Sequence, residues 1–188
     1  KVLREPDIAM ENTTQLFLGT RFNCNKCHDH PFERWTKDQH WQLAGFFAQV
    51  DRKDVAGSKK MPARRGMKAK SPPAYEEVIG DAAKGEAVDP EGNQYEPGFP
   101  FEHEGEIPAK ASRRVQLARW LTDPKNPYFA RSYVNRLWSY FLGIGLIEPV
   151  DDIRASNPST FPALLDHLTK KFIAEGFDVR GTMRRICQ

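Results

Sequence analysis

A helical period repeated four times in the last stretch of the chain constrains its fold more than any other feature. Ser112 precedes Arg113 to Leu121, where Val115, Ala118 and Leu121 recur at helix spacing. Asn126-Pro127 opens a second segment, Tyr128 to Leu142, with Gly143 and Gly145 as natural C-terminal stops. Ser159 or Thr160 caps a third, with Pro162 in its first turn, an apolar face of Leu164, Leu165, Leu168, Phe172 and Ile173, and Gly176 at its end. Asp178 caps a fourth, Val179 to Cys187. Four such segments within residues 112–188 predict a C-terminal helical domain.

Residues 1–50 also read as helical. Asn12 or Thr13 caps Thr14 to Leu18, and Gly19 stops that short helix. Thr36 or Asp38 caps a second run, Gln39 to Ala48, whose broad apolar face holds Trp41, Ala44, Ala48 and the pair Phe46–Phe47. Residues 51–111 differ, with Pro72-Pro73, Asp89-Pro90-Glu91-Gly92-Asn93 and Pro97-Gly98 as turn signals. A basic run (Lys59, Lys60, Arg64, Arg65, Lys68, Lys70) precedes an acidic part from Glu76 to Glu106. The basic run reads as a solvated surface loop, the alternative being a dock for an acidic partner or an anionic polysaccharide. The expected class is mostly α: a helical bundle with a long irregular Gly/Pro-rich middle segment and one short β-hairpin at the turn over 89–93. The three stretches are 1–50, 51–111 and 112–188.

Composition narrows the function classes. A net charge of only +3 across 188 residues gives no global field that demands nucleic acid. No apolar run reaches the length of a membrane span. The chain opens without an initiator Met and stops inside a helical pattern, and reads as an internal piece of a longer exported protein. There is no Gly-rich phosphate loop and no nucleophile motif.

Chemistry concentrates in Cys24-Asn25-Lys26-Cys27-His28. This C-x-x-C-H pattern is the attachment sequence of a c-type haem. On one helical turn two thiols three apart share a face and can form thioethers to the haem vinyls, while the adjacent imidazole reaches the iron. The run continues Asp29-His30, so Cys24, Cys27, His28 and His30 could instead bind zinc. A disulfide or plain thiols is the third alternative. If 24–28 is helical, His30 lies about 200° around the axis from His28 and cannot share its ion. Pro31 favours extended geometry at His30. The candidate sixth ligands of a haem are Met10, Met61, Met67, His30, His40 and His103, each of which reads at least as well as an ordinary residue. Trp35, Trp41, Phe46 and Phe47 could pack a porphyrin, although such a cluster more often forms plain core. Asp29 is placed to orient the His28 ring through its other nitrogen. The third cysteine, Cys187, reads as a small buried hydrophobe or as the partner of a cysteine elsewhere in the parent protein.

A second polar constellation comprises Asn135, Arg136, Asp151, Asp152 and Arg154. It reads first as a buried ion-pair network. Paired carboxylates can also bind a cation or serve acid–base chemistry, for example on an extracellular polymer.

Asn12-Thr13-Thr14-Gln15-Leu16-Phe17-Leu18-Gly19, leading into Cys24-x-x-Cys27-His28-Asp29-His30-Pro31-Phe32 and Trp35-Thr36, resembles the planctomycete cytochrome-like proteins. Their second domain is matched by Asn126-Pro127-x-Phe129-Ala130, Val134-Asn135-Arg136-x-Trp138, Gly145-x-Ile147-x-Pro149-Val150-Asp151-Asp152 and Ser156-Asn157-Pro158. The family's usual aromatic at position 40 is His here. The resemblance implies a large secreted multidomain protein, often with a separate cytochrome c domain nearer its N-terminus. The expected function is a haem c electron-transfer module, periplasmic or extracellular, whose partners are a redox protein or other domains of the parent. The alternative is a structural or interaction module of a surface complex with zinc or a disulfide at the motif.

Overall fold

Pro6 fixes the backbone angle of a first helical position, and helix α1 runs Pro6–Phe17 in the computed structural model, which describes residues 5–54, 77–102, 108 and 110–188. The helix therefore starts well before the caps expected at Asn12 or Thr13. Those residues lie in its interior, with Asn12 Nδ2 and Thr13 Oγ1 each donating back four residues at 2.8 Å, to the carbonyls of Ile8 and Ala9. Short polar side chains can be satisfied this way inside a helix as well as at its start. Gly19, at φ +64°, then turns the chain away.

Asn23–Lys26 form a single 3-10 turn. Helix α2, Lys37–Ala44, opens on the capping box at Thr36: Thr36 Oγ1 accepts from the Gln39 amide at 3.2 Å and Gln39 Oε1 from the Thr36 amide at 3.1 Å. It ends sooner than Ala48, where the chain passes into tighter three-residue bonds such as Phe47 N to Ala44 O at 2.9 Å, and carbonyls at this end also accept from outside. The Gly98 amide donates to Gln42 O at 3.1 Å and Arg113 Nη1 donates to Gly45 O at 3.0 Å.

The expected hairpin is present as strands β3, Ala87–Val88, and β4, Gln94–Tyr95, joined by a turn in which Asp89 Oδ1 accepts from the amides of Glu91 and Asn93. A second antiparallel ladder pairs β1, Val50–Asp54, with β2, Glu77–Asp81. Four helices follow: α3 Arg113–Leu121, α4 Phe129–Leu142, α5 Pro162–Ala174 and α6 Val179–Cys187. Asn126 Oδ1 accepts from the amides of Tyr128 and Phe129 at 2.9 and 3.1 Å, satisfying orphan donors at the start of α4. Among the described residues the fold is thus mostly α, with two small two-stranded sheets.

Two cores result. The first gathers Met10, Leu18, Phe22, Trp35, Trp41, Leu43, Phe46 and Ala87 around Leu117, Trp120 and Leu121 of α3, so that helix packs with the N-terminal half. The second is built by α4, α5 and α6 with the loop through Leu146, Ile147 and Ile153. They meet where the Ile153 amide donates to Gly19 O at 2.6 Å and Arg136 Nη2 donates to Gln15 O at 2.9 Å. Cys187, expected to be buried, is an exposed free thiol at the end of α6. Met61, Met67, His103 and the basic run lie outside the described residues. Among the described residues no helix is long and apolar enough to cross a membrane.

Candidate functional site

The cysteine motif sits on irregular backbone between α1 and α2, and the core beneath it fixes its shape. A 3-10 turn has about three residues per turn, so positions three apart eclipse one another. Cys24 and Cys27 share one side of the turn, and both thiols are free and exposed. The two residues between them do the anchoring. Asn25 is fully buried: its amide donates to Phe22 O at 2.9 Å and its Nδ2 to Trp35 O at 2.6 Å. Lys26 accepts the Trp41 indole N–H on its carbonyl at 3.1 Å and pairs through Nζ with Asp7 at 2.5 Å. Burial raises the Asp7 carboxyl, but the Lys26 ammonium and nearby amides outweigh this and hold it below the usual carboxylate range. Sequence reading overlooked Asn25 and Lys26. The signal was available: if the thiols three apart face out, what lies between them must face in.

His28 and His30 are treated differently. His28 is exposed, and its Nδ1 lies 2.7 Å from the main-chain oxygen of Asp29. A carbonyl only accepts, so Nδ1 is the donor, and in the neutral ring the lone pair is on Nε2. His30 Nδ1 instead accepts from the amides of Phe32 and Glu33 at 3.2 and 3.0 Å, which puts its proton on Nε2. Asp29 thus meets the other nitrogen of the His28 ring, as its place beside it predicts, but with its main-chain oxygen and not its carboxylate. That carboxylate is turned away: Oδ1 accepts from the Lys37 amide at 2.8 Å, at the start of α2, and the backbone oxygen meets the ring.

The other candidate ligands lie inside. Met10 is fully buried in the first core, as is His40, whose Nδ1 donates to Phe22 O at 3.0 Å. Burial lowers the His40 imidazole, partly opposed by that hydrogen bond, and Nε2 has no partner. Trp35, Trp41 and Phe46 are core residues, packed on Phe22, Tyr95 and Phe99 with ring centroids 5.0, 6.4 and 4.5 Å apart. Among the described residues no three His, Cys, Asp or Glu side chains are grouped so as to hold a metal ion.

Beside Cys24 opens a cleft of about 410 Å³, lined by residues that include Arg21, His30, Glu33, Trp35, Asp152 and Arg154. It brings the second polar constellation next to the first. Asp151 accepts from Arg21 at 2.6 Å and from Gln15 at 2.5 Å. Its burial pushes the carboxyl up, and those donors more than offset this, leaving it below its ordinary value. Arg154 pairs with Asp152 at 3.3 Å, and Asn135 holds both the amide and the carbonyl of Ile147 at 2.9 Å. Each of these groups is occupied by a partner, and Asp151 and Asp152 are not left as a free carboxylate pair.

The attachment end of a c-type haem fits these residues: two exposed thiols on one side of a turn, and next to them an imidazole whose protonated nitrogen is already bonded. Comparison with known families finds similarity at both ends of the chain. Residues 2–52 match the model PSCyt2, described as a protein of unknown function (DUF1549). Residues 113–188 match PSD1, likewise described as a protein of unknown function (DUF1553). No curated protein and no solved structure matches the chain.

Proposed function

We propose that this chain is the attachment platform of a c-type haem in a larger exported electron-transfer protein. The observation that carries the reading is the division of labour in the motif: Asn25 and Lys26 bind the core, while Cys24, Cys27 and His28 face solvent with His28 Nε2 free. In this reading Cys24 and Cys27 hold the group covalently and His28 supplies the axial nitrogen. Bound there, a haem supplies one-electron transfer. The bonds of Asn25 and Lys26 fix the backbone between the two cysteines, which lowers the conformational entropy lost on attachment.

The test is a reduced-minus-oxidised absorption spectrum of chain matured with a haem-ligation system in an oxidising compartment. Haem bands are expected, weakened by Cys24→Ser or Cys27→Ser and lost in the double variant. An unchanged, colourless product from the wild-type chain rejects the reading.

A second reading is a structural or interaction module whose two cysteines form a disulfide or bind zinc. It is favoured by the apolar surface at the end of α4, where Tyr140, Phe141, Leu142 and Ile144 are all exposed. Other domains of the parent would cover that surface. Bound zinc by elemental analysis, or absence of titratable thiols at 24 and 27 in colourless protein, supports this reading over the first.

A further inference from the structure

In the sequence after the motif, the hydrogen bonds of Asp29 and His30 sort the two histidines into opposite tautomers. Resting on the reading above, we infer that Asp29 is the positioning residue of the site: its carboxylate is hooked to the first amide of α2, which aims its own main-chain oxygen at His28 and leaves Nε2 of that ring open to a metal. Three distances carry this. Asp29 Oδ1 to the Lys37 amide is 2.8 Å, Asp29 O to His28 Nδ1 is 2.7 Å, and His30 Nδ1 to the Glu33 amide is 3.0 Å.

The chain of cause is short. Helix α2 is held in place by the Thr36 capping box and by Trp41 and Leu43 in the first core, so its first N–H is a fixed point. Asp29 is exposed and lies on backbone that is neither helix nor strand; its carboxylate is what ties that backbone to the fixed point. The Lys37 amide is one of the helix's orphan donors, so the tie also satisfies a group that would otherwise need water. A ligating imidazole depends on its second nitrogen for orientation and tautomer, and here the main-chain oxygen fills that role. His30 cannot substitute. Its Nδ1 is consumed by two amides, and a metal at Nε2 would require moving the proton onto the nitrogen that both amides face.

The tautomer can be read without any haem, so the inference and the functional reading fail separately. In the full 188-residue chain, two-bond nitrogen–carbon NMR at about pH 8.5, where an ordinary imidazole is neutral, reports which ring nitrogen carries the proton. Wild type is expected to show His28 protonated on Nδ1 and His30 on Nε2. Asp29→Ala is expected to return His28 to the tautomer mixture of a free imidazole while His30 is unchanged, and Asp29→Asn, which keeps the acceptor oxygen, to restore it. Lys37→Pro removes the amide from the other side of the contact at a helix position that tolerates proline, and is expected to reproduce Asp29→Ala. Lys37→Ala, which keeps the amide, is the control for the lost ammonium. His28 holding its Nδ1 proton in both Asp29→Ala and Lys37→Pro, or lacking it in wild type, overturns the inference. Wild-type protein that shows the expected tautomers but never takes up haem leaves the positioning role standing and rejects the proposed function instead.

Discussion

The two cores are built by different means. The second is regular: three helices bring Val134, Leu137, Leu165, Leu168 and Ile186 together, and its inward face follows the helical period. The first joins α1, α2, β3 and α3 through stretches that are neither helix nor strand, which supply Leu18, Phe22, Trp35 and Phe46. There the rings of Phe46, Phe99 and Trp120 stack face to face at 4.5 and 5.1 Å, and the stretch from Phe22 to Trp35 is held by side-chain hydrogen bonds from Asn25, Trp41 and His40 to main-chain oxygens. The lesson is that the candidate site sits on the irregular backbone between α1 and α2. Irregular backbone can present two thiols and an imidazole on one short turn, at the cost of needing a polar partner for almost every buried group.

The largest test of this contrast is the aromatic stack itself. Trp120→Ala is expected to cost about 4 kcal/mol, against about 3 kcal/mol for Leu165→Ala in the second core, both by urea unfolding. A Trp120→Ala cost no greater than that of a surface substitution would break the picture of a ring-built first core.

Two fully buried asparagines allow a matched comparison. Asn135 serves both backbone groups of Ile147, whereas the Asn25 side chain makes one bond, to Trp35 O. Asn135→Ala is expected to cost about 3 kcal/mol and Asn25→Ala about 1.5 kcal/mol, since each buried group left unsatisfied costs roughly 1–3. The smaller loss should nonetheless be the one that disturbs the thiol pair, read as a changed alkylation rate at Cys24 and Cys27.

The junction comes next. A Cβ on Gly19 would lie 2.9 Å from Ile153 Cδ1, at a φ of +64°. Gly19→Ala should cost about 2 kcal/mol, part of it recovered in the double variant with Ile153→Val, which deletes that methyl.

The smallest effects separate the regions by pH. Burial keeps the His40 imidazole below its ordinary value in the folded chain, so the unfolded chain binds the extra proton. Stability should therefore fall as pH drops below about 6.5 and continue down to the lowered folded-state value. His40→Phe should flatten this slope, because Phe22 O still accepts from the Asn25 amide at 2.9 Å. Asp151 acts lower down. Its carboxyl is below the usual value, so its contribution is present above about pH 4 and is lost as pH falls further, and Arg21→Ala should reduce it, leaving the share held by Gln15. Thermal melts between about pH 3 and 8 test both.

The same contrast explains what could be read from the sequence. Helices α4, α5 and α6 were legible because their burial obeys one period, and the turn over 89–93 and the Thr36 cap because local chemistry decides them. The start of α1 was misread because Asn12 and Thr13 use the same hydrogen-bonding capacity inside a helix as at its end. The ladder between Val50–Asp54 and Glu77–Asp81 gave no signal, since Val50-Asp51-Arg52-Lys53-Asp54 is polar with no alternation. At the candidate site, the motif singles out Cys24, Cys27 and His28, which the structure leaves exposed. That Asn25 and Lys26 anchor the motif follows from the spacing of the thiols, but their partners at Trp35 and Trp41, and that of the Asp29 carboxylate at Lys37, are beyond the reach of local pattern.

The central claim is that the solvent-facing turn at 24–28 carries a covalently held haem, and intact-mass measurement of denatured chain after maturation addresses it most directly. The account predicts a species heavier than the polypeptide by one haem, absent from the Cys24→Ser/Cys27→Ser double variant. A mass equal to the bare polypeptide, or lower by the two hydrogens of a disulfide, contradicts it.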